Sequence, residues 1–453
     1  MVLAVIGVLL GTVLQAVDGS IVNVAVPQIQ AQLAAPLSLV GWTVTGYVLA
    51  SLVAMPLAAS LARRVGMREF FAGSVALFTA ASVACALSTG MGMLIACRVL
   101  QGLGAGGLLP LSQSVLMALF PGARRGTAVA LVGCAAVLGP LMGPPIGGLL
   151  TDAFGWRTIF WINLPLGLLS VALVLRHLEP RADAPTPRRG ELDLWGAALL
   201  AAALTSLQVA CAHHPLLLPV AAAAGFLFVR RELSAKAPAV DLSVLRHRAL
   251  AGTLIAAPLY GLGLYASVFL LPLLLEDRLG MSASKAGLVM SVGAVGSGSL
   301  IFCARPLLAR FGARTLCAAG AAIFAVSMLV FAFVSQRGHG DVLLAQALRG
   351  AGTGLLYVGM NGFAFETLPD EDLATSASLF YLLRQLGGSI GVALTALVLD
   401  ANRGVGMTAV FFTLAATAPL SLVPMRRLHE RARSSVQAAD KAATGVGPAP
   451  EVM

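Results

Sequence analysis

Charged residues are scarce in this sequence. Only 11% of its 453 residues are Asp, Glu, Lys or Arg, whereas 58% are hydrophobic and the mean hydropathy is +0.89. Because soluble domains carry about a quarter charged residues, this composition predicts a membrane protein. Aromatic residues contribute only 6% and glycine occupies 49 positions, which favours tightly packed helices over a β-barrel with aromatic girdles.

The motifs of enzymes and of ATP-driven pumps are missing as well. The six cysteines lie in or beside apolar runs without CxxC spacing, which excludes a disulfide framework and a zinc site. No lysine follows a glycine, so an ATP-binding P-loop is excluded. We therefore expect no enzymatic activity, no cofactor and no bound metal. The net charge of +10 lies in short loops between apolar runs, so a nucleic-acid partner is not expected either.

Apolar runs long enough to cross a bilayer, about 20 residues each, recur along the whole chain. Fourteen such runs are predicted, at 3–26, 39–61, 70–88, 92–118, 127–150, 158–175, 193–211, 215–230, 249–274, 285–306, 314–334, 342–365, 375–399 and 405–425. The seventh and eighth are rich in alanine and are separated by a very short turn.

The basic residues predict the orientation of these spans. Most of the 30 Lys and Arg residues fall in alternate loops, starting with Arg63, Arg64 and Arg68 after the second span. The positive-inside rule places those loops, and with them both termini, in the cytoplasm. The first run begins at Val2 without a preceding basic segment, so it is predicted to be a span and not a cleaved signal.

The sequence repeats itself at an offset near 248 residues. The stretch at 98–106 matches 346–354, and Gly139 and Gly143 match Gly387 and Gly391. At an offset of 246, residues 64–68 match 310–314. Two six-span halves related by duplication, with spans seven and eight inserted between them, explain this pattern.

The fold class predicted from these features is an all-α polytopic membrane protein with 14 transmembrane helices. Its predicted parts are an N-terminal half at 1–176, a cytoplasmic linker at 177–192, an inserted two-helix hairpin at 193–231, a second linker at 232–248, a C-terminal half at 249–426 and a disordered cytoplasmic tail at 427–453.

Four motifs carry a resemblance to a known family. They are DGSIVNVAVP at 18–27, RVLQGLGAG at 98–106, GPLMGPPIGG at 139–148 and GWRTIFWINLP at 155–165. With these motifs the chain resembles the major facilitator superfamily, specifically its fourteen-span drug:proton antiporters of the EmrB/QacA type. The resemblance implies a bacterial inner-membrane protein in which the substrate binds between two halves that alternate in access.

The same resemblance bears on partners. It implies a small-molecule substrate, protons and the lipid bilayer. Some relatives of this type also work with a periplasmic adaptor and an outer-membrane channel. The segments joining spans seven to eight and thirteen to fourteen are short for such docking.

Two charged residues inside predicted spans are the candidates for proton coupling. A charge within a bilayer costs several kcal/mol unless it is paired or hydrated. Asp18 lies about 22 Å into the first span and Arg98 about 9 Å into the fourth from its other end, at 1.5 Å per residue, so their depths are similar. The resemblance implies that both spans face the central cavity, with Asp18 as the proton carrier. The alternative is a static ion pair that holds the two helices together.

The remaining candidates are weaker. The antiporter motif, expected to form a smooth and bendable helix face or only ordinary small-residue packing, comprises Gly139, Pro140, Gly143, Pro144, Pro145, Gly147 and Gly148. Candidates for lining the substrate cavity are Gln15, Asn23, Gln101, Gln113, Tyr260, Tyr265, Arg349, Tyr357 and Asn361. Candidates for a gate between the halves are Arg64, Arg68, Arg310, Arg314, Arg384 and Gln385.

The function predicted from the sequence is proton-coupled export of lipophilic or cationic drugs and toxic compounds. A dedicated exporter of one metabolite or self-made antibiotic is the first alternative. An importer is disfavoured by the motif at 139–148, a membrane enzyme by the missing catalytic clusters, and a sensor by the lack of a sizeable soluble domain.

Overall fold

The computed structural model describes residues 1–120, 125–179, 194–212, 215–234, 248–337, 340–365, 370–401 and 406–424. Within these ranges nearly all residues are helical and none forms a strand, which confirms the predicted all-α class. The predicted tail lies outside the described residues, as does most of each predicted linker. The boundaries of the predicted parts therefore stay predictions.

Sixteen helices follow one another along the described chain. They are α1 (Val2–Leu33), α2 (Leu37–Val65), α3 (Met67–Ala86), α4 (Met91–Ala105), α5 (Leu108–Leu119), α6 (Arg125–Phe154), α7 (Thr158–Trp161), α8 (Asn163–His177), α9 (Leu194–Ala212), α10 (Leu218–Ser234), α11 (Arg248–Pro272), α12 (Ala283–Phe302), α13 (Ala304–Arg337), α14 (Gly340–Phe365), α15 (Asp370–Ala401) and α16 (Gly406–Pro424). A 3-10 turn at Pro215–Leu217 precedes α10, and a π-helical segment at Leu273–Arg278 continues α11.

Every predicted span falls on one of these helices or on a pair of them. In the described part of the chain, eleven helical runs are long and apolar enough to cross a membrane, with α4–α5 and α7–α8 each counted as one run. The runs α9, α10 and α14 lie outside that set, and α9 holds a shorter apolar stretch at Trp195–Ala210. The count of fourteen crossings, including the inserted hairpin of α9 and α10, therefore stays a prediction.

Helix α1 is longer than the predicted first span. It continues through Pro27 to Leu33, where Ala34 adopts a left-handed conformation that ends it. The prediction stopped at residue 26 because it followed hydropathy, and alternate glutamines interrupt the apolar run after that point. Helical hydrogen bonding does not need apolar side chains, so the helix outlasts the apolar run.

Two glycines with positive φ mark the same position in the two halves. Gly66 (φ 107°) separates α2 from α3, and Gly312 (φ 70°) breaks α13 at the residue 246 positions later. Side chains other than glycine are disfavoured at such angles, so each turn needs glycine. Helix α12 with the first turns of α13 therefore corresponds to α2, and the rest of α13 corresponds to α3.

Close contacts between helices recur in the two halves at the offsets of the sequence repeat. A side chain at Gly102 of α4 would collide with the backbone oxygen of Tyr47 in α2, and one at Gly350 of α14 would collide with Gly293 in α12. A side chain on Gly104 would likewise meet the backbone of α3, and one on Gly352 that of α13. These shared contacts are the structural counterpart of the sequence repeat, since close backbone approach in a bilayer depends on small residues.

The 139–148 motif lies on α6 and faces two neighbours. Gly139, Gly143 and Gly147 lie against the backbone and side chains of Ala16, Ser20 and Ile21 in α1. On another side, Pro144, Pro145 and Gly148 contact α12 at Gly287, Ala283 and Ser284. The glycine stripe therefore packs within the N-terminal half, while the prolines and Gly148 lie at the contact with the C-terminal half. Whether this face bends during function stays a prediction.

The Gly139 contact predicts the effect of adding one methyl group. Gly139→Ala should lower the free energy of unfolding by about 1–3 kcal/mol, because its Cβ would overlap the backbone of α1. Gly133→Ala on the same helix is the matched control, since no atom lies within 4 Å of a Cβ added there. Thermal unfolding of the two purified variants checks this. Equal melting temperatures would contradict the packing described here.

Candidate functional site

A buried ion pair joins α1 to α4. Arg98 Nη1 lies 2.6 Å from Asp18 Oδ2, and the side chains are 1% and 0% exposed. The two residues singled out from the sequence are therefore in direct contact, at a depth where an unpaired charge would be costly.

The neighbours of Arg98 hold its guanidinium in place. Its Nε donates a hydrogen bond to the backbone oxygen of Thr43 in α2 at 2.8 Å. Its Cζ lies 4.2 Å from the centre of the Tyr47 ring and 5.8 Å from that of Phe160. Close approach of α4 to α2 at Gly102, one turn along, makes these contacts possible. Aromatic faces stabilise a desolvated cation, so Arg98 is well supported on several sides.

Gln101 forms hydrogen bonds to both members of the ion pair. Arg98 has only donors, so Gln101 must present Oε1 to it, and Nη1 donates to that oxygen at 2.6 Å. The Gln101 amide nitrogen is then free to donate to Asp18 Oδ1, at 2.8 Å. Gln101, predicted as a cavity residue, is fully buried and belongs to this network instead of facing an open space.

Asn163 supplies a third donor to Asp18. Its Nδ2 donates to Asp18 Oδ1 at 3.1 Å and to Ser82 Oγ at 2.9 Å, while the Ser82 hydroxyl donates to the backbone oxygen of Phe160. The direction of this series of hydrogen bonds fixes the orientation of the Asn163 amide. Asp18 thus accepts from Arg98, Gln101 and Asn163, and no acceptor among these partners is positioned for a carboxyl proton. The geometry fits the ionised carboxylate.

Asn163, Ser82, Thr43 and Tyr47 were not among the predicted site residues. Asn163 stands in the motif at 155–165, which was recognised as a pattern without a role. The others are common residues in apolar helices and carry no signal of their own. Only the packing of α2, α3 and α8 around α1 and α4 brings them to the ion pair.

The C-terminal half has a related but different arrangement. Gln346 and Arg349 of α14 occupy the repeat positions of Arg98 and Gln101, so the two residue types are exchanged. Arg349 Nε donates to Gln346 Oε1 at 2.8 Å, and Gln346 Nε2 donates to the backbone oxygen of Met290 in α12 at 2.9 Å. Arg349 is 6% exposed.

A tyrosine takes the place of Asp18 in this half. Gly387 of α15 lies against Pro258 of α11 as Gly139 lies against Ala16, which aligns Tyr260 with Asp18 two residues further on. Tyr260 is buried, and its hydroxyl donates to the backbone oxygen of Thr353 at 3.3 Å. The repeat therefore conserves the backbone packing but not the carboxylate.

Arg384 lies among tyrosines. It was predicted to belong to a gate between the halves. Its Cζ is 5.2 Å from the ring centre of Tyr381 and 5.8 Å from that of Tyr357, a predicted cavity residue. It also lies within electrostatic range of Tyr260 and Tyr265. Its neighbour Gln385 donates to the Tyr381 hydroxyl at 3.1 Å. The structure thus groups Arg384 with the predicted cavity tyrosines.

The other predicted residues are less closely connected. Asn23 and Asn361 donate to the backbone of their own helices, the Gln15 oxygen is buried without a hydrogen bond, and Gln113 is exposed. Their roles stay predictions.

Of the predicted gate arginines on α2, α3 and α13, only Arg68 is partly buried. It donates to the backbone oxygen of Leu175 in α8, within its own half. Arg64, Arg310 and Arg314 are exposed. A gating role for these four residues stays a prediction.

Two aspartates that were not predicted connect the halves. We call the end of the bundle where α1 ends the distal end. There, Asp400 of α15 accepts from the backbone N–H of Leu37 and Ser38 in α2, at 2.9 and 2.7 Å. Asp152 of α6 accepts from the backbone N–H of Ala283 and Ser284 in α12, at 3.1 and 2.8 Å. Each carboxylate caps the first turn of a helix in the other half.

The two caps are related by the repeat. Asp152 and Asp400 are 248 residues apart, and the capped positions at 37–38 and 283–284 are 246 apart. This repeated spacing was the sequence signal that could have identified Asp152 and Asp400. Both residues lie at the ends of predicted spans and were therefore not considered as site residues. Pro36 precedes α2 and has no side chain that can cap it, so a carboxylate from α15 takes that role.

A bundle of long apolar helices around a buried ion pair defines a polytopic membrane protein. A family model of the Major Facilitator Superfamily matches residues 8–392 and 253–450, and the chain belongs to that superfamily. It is 32% identical to multidrug export protein EmrB of Escherichia coli K12 over 412 residues, which is 87% of this chain and 79% of EmrB.

Two further similarities agree with this assignment. The chain is 32% identical to fatty acid resistance protein FarB of Neisseria gonorrhoeae over 85% of this chain and 78% of FarB. Its fold matches the solved structure of the POT family transporter PepTSo with a TM-score of 0.69 at 16% identity, covering 95% and 98% of the two chains. The family and fold make this chain a transporter, and its relatives make it a multi-pass bacterial membrane protein.

Removing one member of the ion pair should be more harmful than removing both. Arg98→Gln should lower the free energy of unfolding by about 3–5 kcal/mol, because Asp18 would stay buried without its cation. The double variant Asp18→Asn/Arg98→Gln should recover part of that loss. Unfolding in mixed micelles measures the free energy of unfolding of both variants, and the exposed Lys285→Gln serves as the control. Additive losses in the double variant would contradict direct pairing.

Proposed function

We propose that this chain is a proton-coupled exporter of lipophilic drugs and toxic compounds that works by alternating access. Similarity to a multidrug export protein over most of both chains supports the class of substrate and the direction of transport. The observation that carries the coupling proposal is the Asp18 carboxylate, buried in the bundle and surrounded by donors.

Protonation of Asp18 changes its contacts in a defined way. The carboxylic acid has one acceptor fewer and a new O–H, which would point at donor groups of Arg98, Gln101 or Asn163. At least one of these contacts must then break, and the helices that carry them, α1, α4 and α8, must shift. Arg98 keeps Thr43 and the Tyr47 ring as partners, so the cation stays stabilised while the carboxylate is released. A proton thereby alters the packing of the N-terminal half.

The aspartate caps supply a gate for alternating access. The positive-inside rule assigns the distal end to the periplasmic side, so the caps of Asp152 and Asp400 close the periplasmic entrance. Each cap joins the halves through two backbone N–H groups. A few hydrogen bonds on each side of a pseudo-twofold axis are weak enough to break in every cycle. Opening of the distal end would then expose the cavity between the halves to the periplasm.

The proposed setting is the bacterial inner membrane, with protons and a small lipophilic molecule as the transported species. An adaptor protein and an outer-membrane channel stay outside the proposal. Basic loops at the end opposite the caps, including the exposed Arg63 and Arg64, support the proposal that this end and both termini are cytoplasmic.

Asp18→Asn should abolish coupling between substrate and proton. In inside-out vesicles with an acidic interior, compounds that the wild type exports should release protons, whereas the Asn variant should release none, because its amide cannot titrate. Asp18→Glu should keep part of the signal, and Lys285→Gln should keep all of it. Full proton release by Asp18→Asn would overturn the assignment of Asp18 as the proton carrier.

Removing both caps should favour the form that is open at the distal end. An N-cap contributes about 0.5–2 kcal/mol, so Asp152→Ala/Asp400→Ala should raise the open-to-closed ratio at least several-fold. Electron paramagnetic resonance measures the opening as the distance between spin labels at Leu87 and Lys285 in a cysteine-free background. Glu69→Ala, an exposed carboxylate at the opposite end, is the control. An unchanged distance distribution in the double variant would refute the gate.

A further inference from the structure

We infer that Asn163 is the hydrogen-bond acceptor for the proton of Asp18. When this carboxyl is protonated, the Asn163 amide turns over and presents its oxygen, and Ser82 supports the amide in either orientation. The inference rests on the proposed function, because it names the contact through which protonation of Asp18 is accommodated. It also gives a role to the motif at 155–165, which contains Asn163.

Asn163 is the one donor to Asp18 whose orientation does not depend on a charge. Arg98 has only donors and cannot accept a proton from the carboxyl. Gln101 keeps Oε1 toward Arg98 Nη1, at 2.6 Å, so its nitrogen stays toward Asp18 Oδ1. The Asn163 amide is oriented instead by Ser82, whose hydroxyl oxygen lies 2.9 Å from Nδ2. A proton on Asp18 therefore meets the least resistance at Asn163.

The Ser82 hydroxyl is a reversible partner for the amide. It is fully buried, accepts from Asn163 Nδ2 and donates to the backbone oxygen of Phe160 at 2.9 Å. A hydroxyl can donate as well as accept, and it rotates to suit its neighbours. Once the amide has turned, Ser82 can donate to the Asn163 oxygen. It then gives up its hydrogen bond to Phe160, so protonation of Asp18 loosens α3 from α7.

The proton and the hydrogen bonds balance in this step. Asn163 Nδ2 now donates to Asp18 Oδ1 at 3.1 Å. One proton from the aqueous phase adds to Asp18 Oδ1, and the new O–H donates to the Asn163 oxygen that takes the place of Nδ2. Asp18 keeps the proton, and the amide keeps both of its hydrogens. Asp18 Oδ2 still accepts from Arg98.

The rest of the motif holds the backbone ahead of Asn163. Helix α8 begins at Asn163, directly after the short helix α7. Trp156 is fully buried, and its Nε1 donates to Gln32 Oε1 at the end of α1 at 2.8 Å. Arg157 Nη2 donates to the backbone oxygen of Ser88, just after α3, at 3.0 Å. With the backbone tied at these points, the Asn163 side chain is the part that responds first to the proton.

The other titratable groups that face Asp18 keep their protons at neutral pH. Arg98 is the cation in contact with it, and Tyr47 of α2 and Cys85 of α3 lie within electrostatic range. Helices α6 and α8, which pack most closely on α1, carry their charged residues at their ends, and α5 and α7 carry none. Helix α11 has two tyrosines between its ends. Since thiols and tyrosine hydroxyls ordinarily stay protonated at and below neutral pH, a proton taken up here belongs to Asp18.

Infrared difference spectroscopy of the purified full-length protein, acidified against neutral, tests the turn of the amide. The chain has four asparagines, so asparagine labelled with ¹³C at the side-chain carbonyl is a sparse probe. In unlabelled protein, the band that is lost in Asp18→Asn belongs to the protonated Asp18 carboxyl. In labelled protein, the band that is lost in Asn163→Leu belongs to Asn163. We expect the Asn163 band to move to lower wavenumber as Asp18 is protonated, because its oxygen comes to accept from two hydroxyl groups.

Two serine variants and one asparagine variant test the parts of this arrangement. Ser82→Ala should make the shift of the Asn163 band smaller, since one of the two hydroxyl donors is missing. Ser170→Ala is the matched control, because Ser170 is equally buried but donates to the backbone oxygen of Gly7. Asn23→Leu should also keep the full shift, because Asn23 donates to backbone oxygens of its own helix. An equal shift in Ser82→Ala and Ser170→Ala would remove Ser82 from the inference.

Proton release in vesicles tests whether the acceptor matters for coupling. Asn163→Leu should lower substrate-induced proton release about tenfold, because the buried O–H of the acid is left without an acceptor. Lys285→Gln is the control, and the melting temperature shows whether each variant is folded. Undiminished proton release by folded Asn163→Leu would overturn the inference.

The infrared result separates this inference from the proposed function. A band of protonated Asp18 with the Asn163 band unmoved, or moved to higher wavenumber, would overturn the inference and leave the coupling role of Asp18 standing. The absence of an Asp18 acid band at every pH at which the protein stays folded would refute the coupling role, and the inference with it.

Discussion

The contact between Asp18 and Arg98 constrains the whole N-terminal half. Two opposite charges lie inside a bundle of apolar helices, where neither is stable without the other. Their remaining hydrogen-bonding capacity is met by Gln101, Asn163 and Thr43, so four helices are held around one carboxylate. A network in which every neighbour donates to that carboxylate is stable in one protonation state only. The feature that stabilises the half is therefore also the one through which we propose that a proton alters it.

Close backbone contact makes such a network possible. Glycines on α4 and α6 let α2 and α1 approach until backbone atoms touch, and equivalent glycines on α14 and α15 do the same in the second half. In a bilayer the hydrophobic effect does not drive helices together, so packing and polar contacts must do so. Rigid halves built in this way can move as units. The carboxylate caps at Asp152 and Asp400 join them at one end through hydrogen bonds to backbone N–H groups.

The two halves of the repeat have the same backbone packing but different electrostatic character. The N-terminal half has a neutralised ion pair, whereas the C-terminal half has Arg349 and Arg384 among tyrosines. A division of labour follows from this difference. We propose that proton exchange belongs to the half that holds a carboxylate.

The amino-acid sequence by itself determined the membrane class, the positions of the helices, the internal repeat and the two residues of the ion pair. Hydropathy reports lipid exposure along one dimension, and a charge in an apolar run is conspicuous for its cost. The tertiary structure alone decided that Asn163 and Thr43 complete the Asp18 network, that Arg384 lies among tyrosines, and that Asp152 and Asp400 cap helices of the opposite half. Such roles depend on which helix faces come together, and the uniform hydrophobicity of a membrane helix does not encode which face it turns to its neighbours.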